Sequence, residues 1–80
     1  MNEDQIEAFS NVRDALHAGI GALIMARRRI DEAAEILKKA DERYIKMAHE
    51  LQYAAKNLGT MRDYFDAIEM QVPLFIKKES

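Results

Sequence analysis

The sequence predicts an all-α fold, and three observations carry that prediction. Large apolar side chains recur every seven residues along almost the whole chain: Phe9, Leu16, Leu23, Ile30, Leu37, Tyr44, Leu51, Leu58, Phe65 and Val72. A second series three residues further on, Val12, Gly19, Ala26, Ala33, Ala40, Met47, Ala54, Met61 and Ile68, is also apolar and is mostly small in its middle. One proline, three glycines and very little serine or threonine leave no turn chemistry from which strands could be built.

The first helix is expected to begin near residue 3. Asn2 is a good N-cap, Gln5 three residues later completes a capping box, and the acidic Glu3, Asp4 and Glu7 suit the positive end of the helix dipole. The heptad pattern then carries helix to about residue 57. At roughly 1.5 Å per residue such a helix would be about 80 Å long, whereas a compact domain of this size is about 30 Å across. Either the helix is continuous and buries its stripe in an oligomer, or the chain reverses at a turn near Gly19 to Gly21 or at Ala40-Asp41. The expected architecture is therefore a long helix or helical hairpin in a homo-oligomeric helical bundle. Its oligomer seam would be Phe9, Leu16, Leu23, Ile30, Leu37, Leu51 and Leu58, with small neighbours that let backbones approach.

Asn57-Leu58-Gly59-Thr60 is expected to end this region. Gly59 suits a left-handed C-cap, and Thr60 with Asp63 forms a capping box for a short helix over about 61–71. Val72-Pro73 would stop that helix, leaving Leu74-Phe75-Ile76 as an apolar tail before the charged Lys77 to Ser80, all within a single domain over 1–80.

Composition narrows the function classes. Twelve basic against 14 acidic side chains give a net charge of -2, without the basic surplus that attracts duplex DNA or an anionic membrane. The longest uncharged run, Ala15 to Ala26, is too short for the roughly 20 apolar residues of a bilayer span, and the acidic start does not resemble a secretory signal. A cytoplasmic location, in a cell or an infected host, is the expectation. The chain has no cysteine, so it has neither disulfide staples nor thiolate metal ligands, and another chain is the expected substitute.

Asp31-Glu32-Ala33-Ala34-Glu35, followed after an interval by Asp63-Tyr64-Phe65-Asp66, is similar to the acidic signature of the all-α, MazG-like nucleoside-triphosphate pyrophosphohydrolases. That resemblance implies a pyrophosphohydrolase whose carboxylates hold magnesium on substrate phosphates. The heptad phase puts Glu32, Glu35, Asp63 and Asp66 off the apolar stripe, which instead makes them a solvated face with helical partners such as Lys38 and Lys39 for Glu35. No metal and no cofactor are expected.

Arg27-Arg28-Arg29 follows the apolar run from Ile20, and Arg62 shares the heptad position of Arg27. Guanidinium forks suit phosphate or carboxylate. The candidate ligand-binding set is Arg27, Arg28, Arg29, Tyr44, Arg62 and Tyr64, clamping an anionic nucleotide or an acidic partner protein at a subunit junction. The structural alternative is pairing of these arginines with Asp31 and Glu32. His17 and His49 lack metal-ligand spacing, and with Ser10 as the one serine before the terminus no nucleophilic triad can be assembled. The five methionines and the run Ile20 to Met25 make either core or an adaptable binding surface. The function expected is that of a non-enzymatic, self-associating binding protein, an inhibitor, adaptor or nucleotide sponge. In size and class it resembles phage-encoded counter-defence factors.

Overall fold

Asn2 caps the first helix as its neighbours require: its Oδ1 accepts the Gln5 N–H at 2.8 Å, and its own N–H donates to Gln5 Oε1 at 3.2 Å. In this computed structural model, which describes the backbone of residues 2–79 and the side chains of residues 2–74, helix α1 runs Glu3–Ala40. A 3-10 turn, Glu42–Tyr44, leads into α2, Ile45–Glu79. The two helices lie against each other as a hairpin measuring 59 × 14 × 12 Å.

The reversal falls at Ala40-Asp41, the second of the two sites open to it. Asp41 takes an extended conformation (φ -161°, ψ 138°), and its carboxylate accepts the Arg43 N–H at 2.8 Å while its own N–H donates back to the Leu37 carbonyl. Arg43 also reaches Asp41 Oδ2 through Nε and NH2, at 3.1 and 2.8 Å. These bonds to the guanidinium, and secondarily the one to the backbone N–H, hold the Asp41 carboxyl below the 3.8 of an unperturbed aspartate. In the unfolded chain the carboxyl binds its proton at higher pH than in the hairpin. The stabilising contribution is therefore complete above about pH 4 and is lost as acid titrates the folded group at its depressed value. Asp41→Asn is accordingly expected to lower the melting temperature at pH 7, with the gap to the wild type narrowing on acidification below pH 4; a pH-independent gap would contradict this origin.

Gly19 and Gly21 stay helical because neither is needed for a turn. At Gly19 a β-carbon would sit 2.9 Å from Phe65 Cε2, so the missing side chain is the seat for that ring. The expected break at Asn57 to Thr60 is absent: α2 continues through it, with no residue at positive φ. Gly59 is buried in the interhelical contact and is not a cap, and Thr60 bonds back to the Lys56 carbonyl at 3.4 Å, one helical turn earlier. Val72-Pro73 does not end the helix either. Val72, 4% exposed, is packed in the hairpin one residue before the proline, while Pro73 itself lies on the exposed side. In the proposed apolar tail, Leu74 is helical and exposed, and the side chains of Phe75 and Ile76 lie outside the described residues.

The apolar stripe closes the hairpin within one chain, but not along both rows. Phe9, Leu16, Leu23, Ile30, Leu37, Leu51, Leu58 and Phe65 are half-buried, whereas Tyr44 at the turn is exposed. Ala34, Ala48 and Ala55, each four positions after a member of that row, have no exposure at all. Most of the small-residue row three positions after it stays exposed: Val12, Ala33, Ala40, Met47, Ala54 and Met61. The covered alanines lie on the other flank of the stripe from the small-residue row that the sequence pointed to. The correction has a simple cause: a second helix from the same chain covers only one narrow seam, and here it lies on the alanine side.

Candidate functional site

Arg27 lies on α1 opposite Gly59, where a β-carbon would overlap its guanidinium and lie 2.9 Å from its Cζ. The glycine is a notch in α2 that lets the arginine lie across the neighbouring backbone. Around this contact opens a groove of about 450 Å³, lined by Leu23, Ile24, Arg27, Arg28, Asp31, Glu32, Gly59 and Arg62. Leu23 and Ile24 supply an apolar wall, and three guanidiniums converge on one opening.

The three cations differ in their partners. Arg28 Nε meets Glu32 Oε1 at 3.3 Å, one helical turn on, and Arg62 donates to Asp63 Oδ1 through NH2 at 2.9 Å and Nε at 3.2 Å. Both pairs are exposed, so each is weakly held and exchangeable with solvent or a ligand. Arg27 has no carboxylate within ion-pair distance among the described residues. A guanidinium held in place by packing, without an anion of its own, is suited to receive two oxygens of a phosphate or carboxylate.

Of the six ligand-binding candidates, Arg27, Arg28 and Arg62 line this groove, while Arg29, Tyr44 and Tyr64 do not. Tyr44 is at the hairpin tip, its ring 5.9 Å from the Arg43 guanidinium carbon. Arg29 and Tyr64 point away because of helical phase: two residues beyond Arg27 and Arg62 respectively is about 200° of rotation. Sequence reasoning missed Gly59 as the arginine's seat, and Ile24 and Asp31 as groove walls. The usable signal was that Arg27 and Arg62 share the heptad position of the buried alanines, which marks them as facing the partner helix.

The acidic motif does not converge. Glu32 is with Arg28 and Asp63 with Arg62, and Glu35 accepts from Gln52 Nε2 across the hairpin at 2.9 Å instead of pairing with Lys38 or Lys39. Among the described residues no three acidic or histidine side chains come close enough to share a metal ion. His17 Nδ1 lies 3.4 Å from Glu69 Oε1, a cross-helix contact near the open end in which the histidine is exposed and the carboxylate half-buried. No helix among the described residues is long and apolar enough to cross a membrane. No protein-family model, curated protein or solved structure matches the chain.

Proposed function

We propose that this chain is a self-associating helical hairpin that works by binding, with the Arg27–Arg28–Arg62 groove as its ligand site. The ligand class is a small phosphate-bearing anion of nucleotide type, whose phosphate engages the guanidiniums and whose planar part rests on Leu23 and Ile24. The observation that carries this is Arg27, seated on Gly59 without a carboxylate partner among the described residues. No chemical step is assigned to the groove; occupancy is the activity, and the chain acts as a sponge or as an inhibitor.

Adding a nucleoside triphosphate or inorganic pyrophosphate is expected to raise the unfolding free energy by about 2.7 kcal/mol at a ligand concentration 100 times the dissociation constant. Arg27→Ala should abolish that gain. Gly59→Ala separates the notch from general stability. Alanine is better than glycine in a helix by about 1 kcal/mol, and the atom it displaces is the flexible end of Arg27. The variant is therefore expected to melt higher without ligand and to respond less to it. Ligand stabilisation that is equal in all three proteins would exclude the groove.

A second use of the same groove is favoured by Asp31 and Glu32 in its wall, which reduce its net charge: an acidic segment of a partner protein would spread its carboxylates over Arg27 and Arg62. Pyrophosphate that fails to stabilise, with an Arg27-dependent capture of an acidic peptide, would select this reading.

A further inference from the structure

A compact monomer of 9.2 kDa exposes about 4,900 Å², whereas this chain exposes 6367 Å². The difference, roughly 1,500 Å², exceeds the ~800 Å² that each partner covers in a stable interface of standard size. Among the described residues no large side chain is fully buried, and Met47, Met61 and Tyr64 are 56%, 48% and 64% exposed. The hairpin has the uncovered area of half of a bundle.

Helical geometry places part of the exposed apolar surface on one side. The seam of each helix is formed by the leucine row and the buried alanines. The small-residue row lies about 75° round the axis from the middle of that seam. Because α2 runs opposite to α1, equal rotations about the two axes carry side chains to the same side of the hairpin. Ala26, Ala33 and Ala40 of α1 therefore share a face with Met47, Met61 and Ile68 of α2. The arginine groove, flanking the seam in the other sense, opens on the opposite side.

The contacts His17–Glu69, Gly19–Phe65, Arg27–Gly59 and Glu35–Gln52 set the level at which residues of the two helices stand. At that level Ala26 stands with Met61 and Ala40 with Met47, a small residue of α1 beside a large one of α2, while Ala33 stands with Ala54 and Gly19, covered by the Phe65 ring, stands with Ile68. A two-fold axis parallel to the hairpin's long axis keeps every residue at its own level and lays α1 of one copy over α2 of the other. Large then meets small at Ala26–Met61 and Ala40–Met47, on either side of a close Ala33–Ala54 approach at the middle. The other face-to-face two-fold puts α1 on α1, where Ala26, Ala33 and Ala40 are all small, and α2 on α2, where Met47, Met61 and Ile68 leave only Ala54 as a small residue.

We infer that two copies of this chain pack face to face through these rows, α1 against the partner's α2, as an antiparallel four-helix bundle with both arginine grooves directed outward. The inference rests on the self-association proposed above, and it moves the ligand site away from the subunit junction.

The test is light scattering and native mass spectrometry on the full chain and on Met61→Lys. The wild type is expected at twice the chain mass, and Met61→Lys at the chain mass. Circular dichroism should show the variant still helical, since Met61 is already half exposed in the hairpin. Lys56→Glu, on the groove side of α2, should remain dimeric. Orientation is read by mixing two single-cysteine proteins, Ala26→Cys and Met61→Cys, the native chain having no cysteine. Under mild oxidation the mixed disulfide should form faster than either symmetric one. A monomeric wild type would overturn self-association as a whole. A Met61→Lys variant that stays dimeric, or symmetric disulfides that dominate, would overturn this interface and leave self-association standing.

Discussion

Ala55→Leu is expected to destabilise the protein by about 1–3 kcal/mol, with the urea midpoint falling and the slope of the transition unchanged. Ala55, like Ala34 and Ala48, has no exposure and lies in the covered seam between the two helices. Leucine adds three carbons where the opposing surface has no gap, so either the helices separate locally or the side chain takes a strained rotamer. Total stability for a chain of this length is about 4–12 kcal/mol, which makes this a large fraction. Lys56→Leu, an equally large apolar replacement on the exposed neighbour, is expected to change stability by less than about 0.5 kcal/mol. Both are to be compared at one protein concentration, because the proposed association would add to apparent stability. Equal behaviour of the two variants would mean that position 55 does not lie in a tight contact.

The helical class and the amino-terminal cap were legible because they depend on local chemistry. Asn2 and Gln5 satisfy each other's backbone groups whatever the rest of the chain does. The turn was legible only as one of two sites. Ala40-Asp41 carries no glycine or proline, and its signal is a single aspartate whose side chain can replace the helical partner of Arg43. At Asn57 to Thr60 the local signals pointed to a cap, and tertiary packing decided otherwise. The absent β-carbon of Gly59 was needed for Arg27 to lie across α2, a use that only the neighbouring helix reveals.

The heptad rows were legible as apolar, but not which flank would be covered. A seven-residue repeat of a large residue flanked by small ones at +3 and, in places, at +4 allows a helix to dock on either side. Alanine at 34, 48 and 55 decides it, since those three leave the least bulk between the backbones. The candidate site was partly legible for the same reason. Arg27 and Arg62 occupy that +4 position and so face the partner helix, whereas Arg29 and Tyr64 are rotated away from it.

Leu37→Asp is expected to cost about 3 kcal/mol or more, by removing a half-buried leucine from the seam and placing a carboxylate against it. The position lies one turn before the reversal, and its carbonyl accepts the Asp41 N–H, so loss of packing there also loosens the turn. Helical circular dichroism should fall together with the oligomeric mass, because the outer face exists only when the hairpin is closed. Leu37→Asn separates charge from polarity: it loses the same packing and introduces no charge. In Leu37→Asp the seam disfavours the ionised form, so the folded pKa is raised above the unfolded one. Its stability should then rise as pH falls toward and through the ordinary carboxylate range, opposite in sign to the contribution of Asp41. Leu37→Asn should show no such recovery. An aspartate variant that keeps its helicity and its cooperative transition within about 0.5 kcal/mol of the wild type would place Leu37 outside the seam.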